Sequence, residues 1–484
     1  MTDSVTVRST TVSPATPSST GAVAPAAGHK RHAAPASVSS KLVQNSSFLM
    51  LTTLLSGCFG FVFWIVCARL YSPDEIGKAT SLIAATSLIA YCSQLGLNTA
   101  FARFLPTSDE PERLISGSLV LVVLAGLVIS GGYVLLLPHI APKLAFVHDN
   151  LWYAVGFVVL TATLALNLLT DAAFVAQRSA HLNLIIDGVA QNCLKLALPF
   201  LLVSVGAFGP FASTGLGAAL AAAISVVLIL RRIRLRLRPR ADLPVLRQAM
   251  GFAGANYVAS LLDLLPTLVL PILILNKLGS AEVGYFYVAF QMANLLYAAA
   301  YAVAPVLLVE GSSADVDMAA LRRHSLGFLA ILIVPSAAGL ALLAGPVLSV
   351  FGASYRDQSA TALVVLAAAA ITVTLNSWAS ALLRIQGKLW SILISNIIFA
   401  GGACLLTALL VRDGIVWVAL SWLISSGAAG LYGMCAVFLT PSRAPDWPDD
   451  ELTLRLAVLP RGGTGPSALP ATRDEPDGEQ DDLA

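Results

Sequence analysis

The 484-residue chain is 57% hydrophobic and only 12% charged, with a mean hydropathy of +0.80. A soluble domain carries about 25% charged residues, so these values exclude one and indicate a polytopic membrane protein. A net charge of +2 gives no reason to expect a nucleic-acid partner.

Residues 1–41 are rich in Ser, Thr, Pro and Ala, with no apolar block before Leu42. They read as a disordered cytoplasmic tail, not as a signal peptide. Apolar runs of membrane-crossing length then alternate with short polar breaks. A span needs about 20 residues. Residues 42–230 hold predicted spans at 46–69, 79–102, 114–137, 151–176, 182–205 and 207–230. Breaks such as YSPDEIGK and PTSDEPER carry the Pro, Asp and Gly expected of turns. The break VGAFGPFASTG carries no charge, so the division between the fifth and sixth spans stays open. A basic cytoplasmic linker, 231–247, follows. Residues 248–440 hold spans at 249–275, 284–309, 325–350, 359–383, 389–411 and 414–439. Residues 441–484 form a second polar tail, ending acidic. The expected fold is all-α: twelve transmembrane helices in two six-helix bundles, with both termini cytoplasmic.

Basic residues orient the chain, because Lys and Arg favour the cytoplasmic side. With both ends inside, 22 of the 29 Lys and Arg residues are cytoplasmic, six lie outside, and Lys195 alone falls within a span. The linker sequence RRIRLRLRPR places Arg231, Arg232, Arg234, Arg236 and Arg238 beside the membrane. Docking on anionic lipid headgroups and a plain stop-transfer signal both account for it, and the two are compatible.

The fifth span carries NLIIDGVAQNCLK, with Asn183, Asp187, Gln191 and Lys195 at four-residue spacing and Asn192 beside them. On a helix these four climb one face. Intramembrane ionisable groups are costly and face a cavity or a partner. Asp263 lies midway along the seventh span, close to Pro266 and Pro271, and Asp171 lies near the end of the fourth. The six cysteines sit in apolar segments without CxxC spacing, and no His pair has metal-ligand spacing. They read as buried small hydrophobes, with no metal and no cofactor expected. No nucleophile elbow or phosphate loop occurs, so no catalytic residue is assigned. Trp64, Trp152, Trp378, Trp390, Trp417 and Trp422 mostly fall near span ends, where interface anchoring is the default.

The halves repeat faintly. LYSPDEIG at 70–77 matches LGSAEVG at 278–284, pairing Glu75 with Glu282 and Gly77 with Gly284 at an offset of 207. AQRSAHLNLIID parallels IQGKLWSILISN at an offset of 209. Six helices per half make this a parallel repeat about an axis along the membrane normal, with a cavity between the halves.

Leu70-x-Ser72-Pro73-x-Glu75-Ile76-Gly77, then Leu95-Gly96-Leu97, then Arg103-Phe104-Leu105-Pro106 resemble the start of bacterial polysaccharide flippases. These form the oligosaccharide-exporting branch of the multidrug/oligosaccharidyl-lipid/polysaccharide exporter superfamily. The resemblance covers roughly residues 42–440. It implies a non-enzymatic transporter in the cytoplasmic membrane that flips a lipid-linked oligosaccharide for cell-surface polysaccharide synthesis, beside polymerase or export proteins. Such a substrate carries phosphate. Lys195 would meet it as a point charge, with Arg103 and Arg178 at the cytoplasmic mouth and Asp187 as an entry step. Asn183, Gln191 and Asn192 would bond sugar hydroxyls, and Asp263 would bind a coupling ion. Against this stand an ion pair of Lys195 with Asp263 or Asp187, and interhelical hydrogen bonding by the amides. A drug/cation antiporter of the same superfamily is the alternative transporter. A membrane polymerase or glycosyltransferase is the alternative from another class, and such enzymes usually show a longer outer loop than residues 138–150.

Overall fold

The structure, a computed structural model, describes residues 36–107, 111–233, 243–311 and 317–439. The predicted C-terminal tail, residues 1–35 of the predicted N-terminal tail and residues 234–242 of the basic linker lie outside the described residues, whereas 36–41, expected to belong to the disordered tail, open the first helix. The chain forms α1 (Ala36–Leu70), α2 (Pro73–Ser93), α3 (Leu97–Phe104), α4 (Pro111–Ile140), α5 (Leu151–Ala176), α6 (Ala180–Leu201) and α7 (Phe208–Ile233). It continues with α8 (Leu243–Lys277), α9 (Ser280–Gly311), α10 (Met318–Leu342), α11 (Ala353–Ile385), α12 (Leu389–Leu410) and α13 (Ile415–Leu439). Among the described residues, ten helices are long and apolar enough to cross a membrane. The molecule is a multi-pass membrane protein. The long helices α2 and α9 fall outside those ten. They pack along each other and join the first helices of the chain to the last.

The SPDEIG motif is explained by what α2 must do at its start. Ser72 accepts a hydrogen bond from the Glu75 amide (3.3 Å), and Glu75 accepts one from the Ser72 amide (2.8 Å). This capping box satisfies two helix-end donors, and Pro73 suits the first turn. Gly77 answers to packing instead. A Cβ there would stand 1.7 Å from the Ser280 carbonyl oxygen, and a Cβ on Gly284 would stand 2.4 Å from the Pro73 carbonyl oxygen. The two glycines matched by the sequence repeat are the point where α2 and α9 touch backbone to backbone. Small residues allow such an approach between membrane helices.

Further bonds join the two sets of helices at this same end. The Ser280 hydroxyl donates to the Asp74 carboxylate. The Arg69 guanidinium donates twice to the Val350 carbonyl, at 3.1 and 2.7 Å. Asn276 donates to the Ile140 carbonyl (2.8 Å), and Phe61 meets Phe351 edge-on. Asp74 also pairs with Lys78 at 2.8 Å. Burial pushes the Asp74 carboxyl up, but hydrogen bonds from Lys78 and Ser280 and the charges of Lys78 and Lys143 outweigh it and hold the group below its ordinary value of 3.8. A depressed carboxylate stabilises above its unfolded pKa and loses that contribution as pH falls through the folded one. Acidification below about pH 4 is therefore expected to loosen this end. Thermal unfolding of the wild type should show an acid-side loss that Asp74→Asn lacks.

Three expectations change. The second span is not one helix to residue 102: α2 stops at Ser93, Leu95 and Gly96 take left-handed backbone (φ 49° and 83°), and α3 restarts. The ninth span breaks at Leu343, with a short helix at Ala344–Ser349 after it. The tryptophans divide: Trp152, Trp390 and Trp417 are exposed, but Trp64, Trp378 and Trp422 are buried. Trp378 is 1% exposed and donates through Nε1 to Ser325 Oγ at 2.9 Å, so it serves the core of α10 and α11. The uncharged break between spans five and six divides as predicted, with a 3-10 turn at Val203–Val205 between α6 and α7.

Candidate functional site

α6 is not a regular α-helix. Leu184–Gln191 form a π-helix between two α-helical segments. Its wider turn, about 4.4 residues with i to i+5 bonding, makes four-residue steps fall slightly short of a full rotation. In an α-helix they overshoot it by about 40°. The two deviations offset, so both faces hold register. His181, Ile185, Val189, Cys193 and Ala197 are all exposed, while Asn183 is buried and Asp187, Gln191 and Lys195 are half-buried. The polar ladder stays on the inner side through the irregular turn.

Asn192 maintains that turn. Its side-chain amide donates to the Asp187 carbonyl (2.7 Å), the Gly188 carbonyl (3.3 Å) and Ser56 Oγ on α1 (3.1 Å). The backbone amide of Asn192 points to Val189 instead, so the side chain satisfies a carbonyl the π turn leaves over. This corrects its expected role: Asn192 serves the helix, and its amide hydrogens are not available to a sugar.

Asn183 and Asp187 meet partners on α5. Asn167 donates to Asp187 Oδ1 (3.1 Å) and to Asp171 Oδ2 (3.2 Å), and Asn183 donates to the Asp171 backbone carbonyl (3.3 Å). The Asp171 and Asp187 side chains are themselves within hydrogen-bonding reach. Asn167 is the residue that sequence reasoning missed. Its signal was present, since LNLLTD at 166–171 and LNLIID at 182–187 share one pattern. Asn167 and Asp187 each lie ten residues from Gln177, and Asp171 and Asn183 each lie six residues from it. Antiparallel helices joined at that turn bring both pairs level.

Lys195 stands apart from this cluster. Its ammonium lies 4.5 Å from the centre of the Phe63 ring, and its Cβ packs toward Gly217 of α7. Cys67 of α1 is within electrostatic reach. Among the described residues no carboxylate forms an ion pair with it, so neither Asp187 nor Asp263 is its partner. Asp263 is exposed on α8 with Arg384 and Tyr301 within electrostatic reach, and α8 runs on through Pro266 and Pro271.

Arg178 is exposed in the turn between α5 and α6 with φ of 56°. The Ser179 amide donates to the Phe174 carbonyl (2.8 Å), the six-to-one bond of a Schellman turn. The repeat builds the same turn at Gly387 (φ 70°), with Lys388 donating to Leu383 (2.9 Å). Offset 209 maps Arg178 onto Gly387. Left-handed backbone favours glycine, by about 1–2 kcal/mol over residues with a Cβ. Arg178→Gly should therefore raise the unfolding temperature. A matching loss of function would show that the arginine is kept for its charge. Arg103 lies on α3 and Arg231 is exposed at the end of α7. The side chains of Arg103 and Arg232, and all of Arg234, Arg236 and Arg238, lie outside the described residues.

Among the described residues, the two seams between the first and last helices differ at the Arg178 end. On one seam the Tyr257 hydroxyl of α8 donates to the Tyr91 and Cys92 carbonyls that end α2, at 3.0 and 3.1 Å. On the other, α1 meets α9 at Trp64–Tyr287, 4.8 Å between rings, and Gly57 lies beside Leu295. The offsets map Tyr257 to Met50 or Phe48. Met50 is exposed, and Phe48 packs edge-on to His181 of α6 instead. Leu51, Leu54 and Tyr301 beside this seam are exposed as well.

The sequence signature of a polysaccharide biosynthesis protein family matches residues 66–360, more than half of the chain. The chain belongs to this family. Among curated protein sequences, none matches it. The family member shares its fold with solved membrane transporters. An inward-facing multidrug resistance MATE family transporter of the MOP superfamily aligns with a TM-score of 0.68 at 14% identity, covering 82% of this chain and all of that one. The lipid II flippase MurJ, in an inward closed conformation, aligns at 0.65 and 14% identity, covering 80% and 86%. An outward-facing MATE transporter aligns at 0.58 and 14% identity, covering 82% and 94%. At these identities the likeness is one of fold.

Proposed function

We propose that the protein flips a lipid-linked oligosaccharide, of the polyprenyl-phosphate type, across the cytoplasmic membrane for cell-surface polysaccharide synthesis. In this reading the chain crosses twelve times in two six-helix bundles, residues 42–230 and 248–440, with both termini and the Arg178 end in the cytoplasm. The unequal seams carry the proposal. The Asp74 end is joined by bonds from Arg69, Asn276 and Ser280, while among the described residues the α1–α9 seam shows, at the Arg178 end, no counterpart of the Tyr257 contact. A slot sealed outside and parted on one side toward the cytoplasm suits a headgroup entering sideways with its lipid left in the bilayer. The better superposition on the inward-facing than on the outward-facing transporter supports the same state.

Lys195 favours a phosphate-bearing substrate over a drug cation. A cation antiporter gains nothing from a half-buried ammonium that has no carboxylate partner among the described residues, whereas a travelling phosphate needs a cation. Arg178 supplies charge at the mouth, and Arg231 begins the basic linker toward anionic headgroups. The test uses proteoliposomes containing a short-chain lipid-linked oligosaccharide and an impermeant glycosidase outside. Expected is protein-dependent loss of the protected lumenal pool, with no accumulation of a cationic dye. Dye transport without any change in glycan accessibility would overturn the assignment in favour of the antiporter.

A further inference from the structure

Lys195 faces inward because α6 is underwound below it. Lys195 lies twelve residues beyond Asn183, and in a regular α-helix that path ends about 120° past three full rotations. Here the eight residues Leu184–Gln191 turn about 82° each, and the path ends roughly 25° short of three rotations. The wide turn thus swings Lys195 by roughly 140° onto the side that carries Asn183 and Asp187. Ile185, Val189, Cys193 and Ala197 record the same swing, since all four are exposed in one continuous stripe.

Neighbouring helices grip this turn. Gly188 within it is buried, and a Cβ there would stand 3.7 Å from Thr52 Cα of α1. A Cβ on Gly217 of α7 would stand 3.0 Å from the Gln191 carbonyl oxygen. The Asn192 side-chain amide closes the turn, reaching the Asp187 and Gly188 carbonyls and Ser56 Oγ of α1. Above Lys195 the helix is interrupted again. Pro199 has no amide hydrogen to offer the Lys195 carbonyl, and its own carbonyl accepts from Tyr71 Oη, just past α1, at 2.9 Å. Residues 192–198 therefore form a short segment between two irregular points, bonded to Ser56 below and Tyr71 above, with the ammonium 4.5 Å from the Phe63 ring between them. The repeat has neither the wide turn nor the lysine. Offset 209 maps Asn192 to Gly401 and Lys195 to Cys404, and α12 runs as an unbroken α-helix. The fold does not require the turn where there is no ammonium to aim.

We propose that Asn192 and Ser56 are positioning residues for Lys195, holding the wide turn that aims its ammonium at the substrate phosphate. This rests on the reading of Lys195 as the phosphate contact. Without the Asn192 amide the Asp187 carbonyl loses the donor it has here, and α6 satisfies its backbone by rewinding to regular helical bonds. Rewinding carries the ammonium off the inner side without altering the lysine itself.

Two measurements test it, the first without substrate. Nitroxide labels are placed singly at positions 185 and 197 of an otherwise cysteine-free chain in liposomes, and their collisions with lipid-dissolved oxygen are recorded. Both positions are exposed and stand roughly 10° apart around α6, whereas a regular helix would set them about 120° apart. Collisions should be frequent at both with Asn192 present, and should fall at one of the two in Asn192→Leu. The second measurement is flipping in proteoliposomes. Asn192→Leu should lower it by about a hundredfold, the cost of displacing a contacting group by about an ångström or more. Moving the lysine back one residue, by Leu194→Lys with Lys195→Leu, should restore flipping in the Asn192→Leu background and abolish it in the parent chain. Position 194 of a regular α6 lies within about 20° of Asn183. A purely structural role for Asn192 predicts no such rescue. Ser56→Ala is the milder variant should Asn192→Leu not fold, with the same direction expected in both measurements. Unchanged collisions at both labels, full flipping in Asn192→Leu, or failure of the moved lysine to rescue it would overturn the proposal. Wild-type protein that does not flip would remove the flippase reading alone, and the labels would still decide whether Asn192 holds the turn.

Discussion

Gly77→Leu is expected to stop transport by preventing the Asp74 end from closing. The obstacle is backbone, because a Cβ at Gly77 would lie 1.7 Å from the Ser280 carbonyl oxygen and 3.0 Å from the Gly284 nitrogen. No rotamer relieves that contact, so α2 and α9 must separate. Separation breaks the Ser280–Asp74 bond and strains the Arg69 and Asn276 bonds beside it. Overpacking costs about 1–3 kcal/mol even where side chains adjust, and a bias of about 3 kcal/mol moves a two-state equilibrium roughly a hundredfold. A cysteine at position 276 in an otherwise cysteine-free chain reports the change. It should be slow to react with an impermeant maleimide in the glycine protein and fast in Gly77→Leu, with flipping lost. Gly60→Leu serves as the control, because a Cβ there meets nothing within 4 Å. Protected cysteine and full flipping in Gly77→Leu would show that this contact does not gate.

Lys195→Ala should lower flipping by more than about a hundredfold, the scale of several kcal/mol for a charge stabilised in a low-dielectric site. The same change should not destabilise the fold. The ammonium has an aromatic face beside it but no carboxylate partner among the described residues, and desolvating a charge without a partner is costly. Its removal is expected to leave the unfolding temperature unchanged or raised. That opposition of stability and activity separates a functional lysine from a structural one. A variant that loses both together would instead place Lys195 in the packing of α1, α6 and α7. Lys195→Arg should not restore full rate, because Gly217 already lies against the Lys195 Cβ and a planar guanidinium does not repeat an ammonium's contacts.

Much of this protein was legible in its residue pattern. Apolar runs longer than a bilayer's width and the placement of arginines indicate a multi-pass helical membrane protein. Span length and backbone satisfaction in lipid leave few other solutions. The SPDEIG motif and its weak copy locate the repeat, because capping chemistry is local. What the pattern could not supply was anything set by contact between distant segments. Gly77 and Gly284 appear in sequence as matched turn residues, yet their role is to meet each other, a distance of 207 positions apart.

The polar stripe on α6 divides along the same line. Four-residue spacing was enough to place Asn183, Asp187, Gln191 and Lys195 on one face. It could not reveal the π turn, since that depends on Asn192 reaching a carbonyl five residues back and Ser56 on another helix. Nor could it separate the stripe's lower half, bound to Asn167 and Asp171 across the turn, from Lys195, turned to Phe63. Periodicity records which side of a helix must avoid lipid. Which neighbour each polar group finds there depends on helix packing, and in a medium that solvates no unpaired charge that neighbour decides what the group does.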